Sequence, residues 1–170
     1  MIRTIPNMKM TIDPNARIAE NATLVGEVEV CSDASIWYGA VLRGDSGAIK
    51  IGRRSAIEDN VTVHSSTTVG NNVIVGHNAV IHGCTIEDGC LIGMSATVMS
   101  GAVVGAGSLV AAGCLITQGT VIPPNSLVMG APAKVIRPIS DAQRKDLCRF
   151  ADEYVQKAEM QLLRWGEQNQ

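Results

Sequence analysis

The chain has 170 residues, with 14 Lys and Arg against 16 Asp and Glu, and a formal net charge of −2 at pH 7. It contains no basic stripe interleaved with aromatic residues, which argues against a nucleic-acid partner. It contains no run of about 18 apolar residues and no leader typical of secretion, so we expect one soluble, cytoplasmic unit with no membrane partner.

The cysteines do not form a disulfide pattern. They are odd in number and include no C-x-x-C pair: Cys31, Cys84, Cys90, Cys114 and Cys148. This usage suits a reducing compartment. We expect packed thiols at Cys90 and Cys114. Cys84 lies two residues after His82, and its approach to a metal is a minor alternative.

An aliphatic residue recurs every six positions through three runs. The runs are Ile12, Ile18, Leu24, Val30, Ile36, Leu42; then Ile51, Ile57, Val63, Val69, Val75, Ile81; then Ile86, Ile92, Val98, Val104, Val110, Ile116, Ile122, Val128. A repeat of this length predicts a solenoid. Aromatic residues make up only 3 % of the chain, which favours an all-β solenoid filled by stacked Val and Ile.

An α-helix is a poor alternative for this region, because a period of six does not keep one helical face apolar. Glycine often follows the aliphatic residue, at Gly52, Gly70, Gly76, Gly93 and Gly105. We interpret these glycines as corners at which the backbone takes unusual dihedral angles.

The six-residue register breaks twice. Nine residues separate Leu42 from Ile51, so three extra residues are expected to bulge out between Gly44 and Ala48. Only five residues separate Ile81 from Ile86, so one residue is missing after His82. Loops that leave a rigid scaffold often carry function.

The repeats predict a β-helix domain over residues 1–138, followed by a C-terminal helix over 139–170. Ser140 and Gln143 have the spacing of a capping box. One apolar stripe then follows at helical spacing: Leu147, Phe150, Ala151, Tyr154, Val155, Ala158 and Leu162. We expect this stripe to pack along the solenoid of its own or a neighbouring subunit, with a free partner-binding helix as the alternative.

The chain has three histidines, His64, His77 and His82, all within one short window. His64 and His82 are 18 residues apart, which is three repeat units, so their imidazoles are expected to stack on one face in successive coils about 4.8 Å apart. His77 leaves a different side, so a neighbouring chain must offer the third ligand. Three imidazoles with one open position are the arrangement of catalytic zinc.

Nearly the whole chain resembles a known family. The motifs that carry the resemblance are the Trp37-Tyr38-Gly39 turn, Arg43-Gly44-Asp45, the strand from Ile57 to His64, Gly76-His77, Val80 to Gly83, Ile92-Gly93-Met94, and the exit from Gly130 to Lys134. The family is the gamma-class carbonic anhydrases, with related proteins often called hexapeptide-repeat acyltransferases. The resemblance implies a left-handed parallel β-helix and a homotrimer with metals at its interfaces, bound by His64 and His82 from one chain and His77 from the next.

The resemblance also implies roles for neighbouring residues. Arg43, Asp45 and Asp59 match an ion-pair group that aligns subunits around the metal. Tyr154 matches a tyrosine that the family's C-terminal helix directs toward the site. Glu58 stands where the family usually has a glutamine that binds the metal's water. Two departures concern proton export: Ser46 replaces a glutamate, and the turn from Ser65 to Thr68 is too short for the loop that carries a second one.

These observations support three functional hypotheses. The first is a hydratase that converts carbon dioxide to bicarbonate with Zn²⁺, or with Fe²⁺, Co²⁺ or Ni²⁺, since imidazole suits each of these ions. The second is transfer or hydrolysis of an acyl group on a coenzyme A thioester, with a histidine as general base in the transfer case. The third is a catalytically silent structural trimer.

Overall fold

The computed structural model describes residues 1–168 and consists of short strands followed by helices. The strands are β1 (Ile2–Arg3), β2 (Thr11–Ile12), β3 (Arg17–Ile18), β4 (Thr23–Val30), β5 (Ser35–Ile36), β6 (Val41–Ile51), β7 (Ala56–Ile57), β8 (Thr62–His64), β9 (Thr67–Val69), β10 (Ile74–Val75), β11 (Val80–His82), β12 (Thr85–Ile86), β13 (Leu91–Ile92), β14 (Thr97–Val98), β15 (Val103–Val104), β16 (Leu109–Val110), β17 (Leu115–Ile116), β18 (Val121–Ile122), β19 (Ser126–Gly130) and β20 (Ala133–Pro138). The helices are α1 (Asp141–Gln161) and α2 (Trp165–Gln168).

The strands form a left-handed parallel β-helix with three flat faces. Strands β8, β11, β14 and β17 make the first, which we call the histidine face, and β9, β12, β15 and β18 make the second. Strand β6 joins these two faces by pairing with both β8 and β9. Strands β3, β5, β7, β10, β13, β16 and β19 form the third, which we call the helix face. Strand β20 ends it with an antiparallel pair.

The interior of the coil is filled as the repeat predicts. The periodic aliphatic side chains from Ile18 to Val128 are at most 3 % exposed, and most are fully buried. The small residues four positions later, such as Ala34, Ala79 and Ala96, are equally buried. One large and one small residue per unit therefore close a narrow core that needs few aromatic rings.

The interpretation of the corner glycines was wrong. None of Gly52, Gly70, Gly76, Gly93 or Gly105 has a left-handed φ. Instead, a Cβ on Gly52 would lie 2.3 Å from the carbonyl oxygen of Gly70, so the backbone of the next coil excludes a side chain. The left-handed corners fall elsewhere in the units, on Arg54 and Ser95 after Gly52 and Gly93, and on Asn or other glycines in many other units: Asn60, Asn72, Asn78, Gly89, Gly101, Gly107, Gly113, Gly119 and Asn125.

The expected bulge after Leu42 is confirmed and lies within strand β6. β6 runs without interruption from Val41 to Ile51 and pairs with β4, which is itself eight residues long. The register between them shifts between Gly26 and Val28. Gly44 is opposite Gly26 and Ile49 is opposite Val28, so the extra residues 45–48 fall between the paired positions. Asp45 and Ser46 therefore stand on the bulge, at the corner between two faces.

Helix α1 packs along the helix face of its own chain. Ser140 Oγ accepts from the Gln143 amide at 3.2 Å and Gln143 Oε1 accepts from the Ser140 amide at 3.0 Å, which confirms the capping box. Leu147, Ala151 and Ala158 are buried. No helix within residues 1–168 combines the length and apolar character needed to cross a bilayer.

Helix α1 runs antiparallel to the coil axis and spans the solenoid. Near its start, Arg144 Nη1 donates to Asn125 Oδ1 at 2.7 Å. Past its end, Arg17 Nη1 donates to the Leu162 carbonyl at 2.8 Å. At about 1.5 Å per residue the 21-residue helix is about 31 Å long, which matches six coil spacings of about 4.8 Å.

Gly52→Ala is expected to destabilise the protein by about 1–3 kcal/mol, because its Cβ meets immovable backbone of the next coil. Gly119→Asn serves as the matched control. Gly119 has φ +69° with no atom within 4 Å of an added Cβ, and Asn tolerates that conformation, so we expect a change within about 0.5 kcal/mol. Urea unfolding at one fixed protein concentration measures both. Equal stability of the two variants would contradict the close-approach explanation.

Candidate metal centre

His64 and His82 lie side by side at the ends of adjacent strands on the histidine face. They are direct partners in the register of β8 and β11. Their ring centroids are 5.0 Å apart with an interplanar angle of 70°, as the spacing of three repeat units predicts. Because a metal–imidazole bond is about 2.1 Å long, rings this close can share one ion.

A serine contacts each of these two histidines. Ser46 Oγ lies 3.0 Å from His64 Nε2, and Ser100 Oγ lies 2.9 Å from His82 Nδ1. The contact at His82 Nδ1 leaves Nε2 as the nitrogen on which a metal can bind. A hydrogen bond to the second ring nitrogen is the usual way in which proteins orient a metal-binding histidine.

His77 lies at the corner that follows β10 and is held by two carboxylates. Its Nε2 is 2.9 Å from Glu58 Oε2, and its Nδ1 is 3.1 Å from Asp59 Oδ2. The His77 amide also donates to Glu58 Oε2 at 3.2 Å. The Asp59 contact has the form of a carboxylate–histidine pair that orients a ligand.

Within one chain the three histidines do not form a common cluster. Over residues 1–168, no group of three or more His, Cys, Asp or Glu side chains is arranged to hold a metal ion. His77 engages Glu58 and Asp59, whereas His64 and His82 engage each other and the serines. Within one chain His77 and the His64–His82 pair therefore belong to separate groups of contacts.

Arg43 and Asp45 form an ion pair beside His64. Arg43 Nη1 lies 2.7 Å from Asp45 Oδ2, and Asp45 Oδ1 lies 3.2 Å from His64 Nε2. The hydrogen bond from Arg43 lowers the pKa of Asp45 below its usual value, with His64 adding to the effect. Asp59 does not join this pair within the chain and instead binds His77 and the Tyr38 amide.

Glu58 and Tyr154 are in contact where helix α1 passes over the coil that contains strand β7. Glu58 is 3 % exposed. Burial, followed by a hydrogen bond to Glu58, raises the pKa of Tyr154 above its usual value. The hydroxyl therefore keeps its proton at neutral pH and donates it to Glu58. Trp37 packs edge-on against the Tyr154 ring, with centroids 5.9 Å apart, and fixes the direction of the tyrosine.

Cys84 is a packed thiol. It is 3 % exposed, and burial raises its pKa to about 12. A metal binds the thiolate form of cysteine, so this environment disfavours coordination by Cys84.

Comparison with known proteins places this arrangement in a family. The family model described as "Bacterial transferase hexapeptide (six repeats)" matches residues 48–83 and 83–118. A "Probable carbonic anhydrase" of Methanocaldococcus jannaschii is 45% identical over 152 residues, which are 87% of this chain and 96% of that protein. An "Uncharacterized transferase YtoA" of Bacillus subtilis is 44% identical over 94% of this chain and 95% of its own.

The chain belongs to the hexapeptide-repeat family that includes the gamma-class carbonic anhydrases. The present structure superposes on a crystal structure of a hexapeptide transferase family protein from Anaplasma phagocytophilum with a TM-score of 0.91. The two sequences are 36% identical, and the match covers 95% of this chain and 97% of that chain. The family's solenoid and its C-terminal helix are thus shared over nearly the full length.

Two residues of the candidate centre were missed by sequence reasoning. The register of β11 and β14 places position 99, and not Ser100, one coil beyond His82. The residue missing after His82 brings Ser100 within reach of its ring, so the period of the repeat did not indicate this contact. Trp37 was recognised only as part of a family motif. Its contact with Tyr154 joins the solenoid to α1 across more than 100 positions, and no local spacing could have indicated it.

Ser100→Ala is expected to weaken zinc binding by about 10- to 100-fold, because His82 loses the hydrogen bond that orients its ring. Competition with a chromophoric chelator measures the affinity. Thr117→Ala is the control, since Thr117 is exposed two coils beyond His82 on the same face. Equal affinity in the two variants would contradict the orienting role of Ser100.

Proposed function

We propose that this protein is a metal-dependent hydratase that converts carbon dioxide and water to bicarbonate. The observation that carries the proposal is the stacked pair of His64 and His82 on one face, with His77 held by carboxylates at a different corner. Relatives named carbonic anhydrase support it, including one that is 45% identical over most of both chains.

The donor set fits a divalent metal. Three neutral imidazoles suit Zn²⁺, and also Fe²⁺ or Co²⁺. In a homotrimer, His64 and His82 of one subunit and His77 of its neighbour would hold the ion. A bound Zn²⁺ lowers the pKa of a coordinated water to about 7 and so supplies a nucleophile at neutral pH.

Glu58 is the residue best placed to handle the proton of the attacking water. Its carboxylate is nearly fully buried beside His77, which would bring it to the metal's side of the interface. Tyr154 donates to Glu58 and so holds one carboxylate lone pair in place, leaving others to accept from water. Asp59 and Ser100 orient His77 and His82, and the Arg43–Asp45 pair lies against His64.

Acyl transfer or hydrolysis on a coenzyme A thioester is the second candidate. The name transferase borne by a relative with 44% identity favours it. A transferase uses a histidine as general base, yet each histidine here already contacts other side chains: Ser46 and Asp45 at His64, Ser100 at His82, Glu58 and Asp59 at His77. The third candidate, a silent structural trimer, predicts no metal and no turnover.

Mixed trimers give the sharpest test of the proposed site. His64→Ala and His77→Ala alone should each lower carbon dioxide hydration by more than about 100-fold through loss of the metal. Mixed in equal amounts by refolding together, they should regain about one quarter of the sites, because a site forms wherever a His77→Ala chain precedes a His64→Ala chain around the trimer.

The matched control is a mixture of His64→Ala with His82→Ala, which should regain nothing, since both ligands come from the same chain. The readouts are metal per chain by plasma emission, solution molar mass and stopped-flow hydration. A wild-type trimer without metal that also refuses zinc would overturn the hydratase. Saturable coenzyme A binding by that protein would favour the transferase.

Hydration is expected to depend on buffer concentration. Only Ser65 and Ser66 separate β8 from β9, so no loop carries a carboxylate out from the site there. We therefore expect the proton to pass to buffer molecules, with another group of the chain as the alternative. Stopped-flow rates at constant pH and ionic strength should rise with imidazole buffer and reach a plateau. A rate independent of buffer would show that another group of the chain exports the proton.

A further inference from the structure

An apolar trough lies between α1 and the helix face, with a cavity volume of about 410 Å³. Four residues in the same position of successive coils form its floor: Glu58, Gly76, Gly93 and Ala111. Three coil spacings of about 4.8 Å make the trough about 14 Å long. Its volume falls in the range of small-molecule sites.

The middle of the floor is open because the next coil excludes side chains at its two glycines. A Cβ on Gly76 would lie 2.9 Å from the Met94 amide nitrogen, and one on Gly93 would lie 2.5 Å from that of Ala112. The walls are the outward side chains of the helix face and one aromatic ring of α1: Ile74, Leu91, Leu109 and Phe150. An unbranched apolar chain fits between them.

One end of the trough is polar and carries an unpaired cation. Glu58 is held by His77, and Glu153 is paired with Arg149 at 2.6 Å. The Lys157 ammonium lies 4.7 Å from the centroid of the Tyr154 ring. Within the described residues it has no carboxylate at ion-pair distance. The Lys157 ammonium is therefore the group at this end that can pair with an anionic group of a ligand.

We propose that the trough binds an organic anion with an unbranched apolar chain, a medium-chain carboxylate, with its chain over Gly76, Gly93 and Ala111 and its head group at Lys157. Each methylene removed from water strengthens binding by up to about fourfold, and Lys157 supplies the charge that selects a carboxylate over an alcohol. None of these contacts is made by a candidate metal ligand.

The test is calorimetric titration of the full-length trimer, in metal-loaded and metal-stripped form, with hexanoate, octanoate and decanoate. Affinity should rise with chain length in both forms. Decanol should bind less tightly than decanoate. Failure of the hydratase proposal would leave these results unchanged, so the two proposals are separable.

Two variants locate the ligand. Lys157→Gln should weaken octanoate binding about fivefold, as expected for a partly exposed ion pair, whereas Lys145→Gln on the exposed side of α1 should not. Ala111→Phe fills the end of the trough that lies away from Lys157. It should therefore remove the increase in affinity from hexanoate to decanoate and leave the affinity for hexanoate unchanged.

Three results would overturn the proposal. The first is absence of saturable binding to the wild-type trimer, as expected if side chains of a neighbouring subunit fill the trough. The second is binding that both Lys157→Gln and Ala111→Phe leave unchanged, which would place the ligand elsewhere. The third is decanol binding as tightly as decanoate, which would remove the role of the charge.

Discussion

Direct contact between the backbones of successive coils is the constraint on which this structure depends. Each coil hydrogen-bonds to the next at about 4.8 Å, so residues of matching register lie directly above one another. The constraint places His64 beside His82 and aligns the floor of the trough from Glu58 to Ala111. It also forbids a side chain at Gly52 and Gly93, where the next coil's backbone already occupies the space.

The three histidines of the candidate centre are each oriented within one chain, but in two separate places. His64 and His82 are fixed by strand register, and Ser100 contacts the His82 ring at hydrogen-bond distance. His77 is fixed equally well, but by carboxylates at another corner. In the proposed trimer, assembly would create the reactive centre from parts that are oriented beforehand, so that little ordering is needed when the metal binds.

The sequence predicted the features that depend on period and missed those that depend on contact across the chain. The six-residue repeat was sufficient for the solenoid, its buried rows and the stacking of two histidines. The capping box at Ser140 followed from local spacing. The sequence could not show why position 52 requires glycine. The cause is the backbone of the neighbouring coil, and not the dihedral angles of Gly52 itself. The contacts of Trp37 with Tyr154, and of Asp59 with His77, depend on tertiary geometry.

The antiparallel course of α1 ties the length of the helix to the number of coils. The helix starts at the last coil and reaches back to Glu58, so Tyr154 arrives there only if helix and solenoid keep matching lengths. One further coil would add about 4.8 Å, which about three helical residues would restore. In relatives that gain or lose a coil beyond Ala111, a compensating change of about three residues should therefore appear between Ser140 and Tyr154, even though the two regions are separate in sequence.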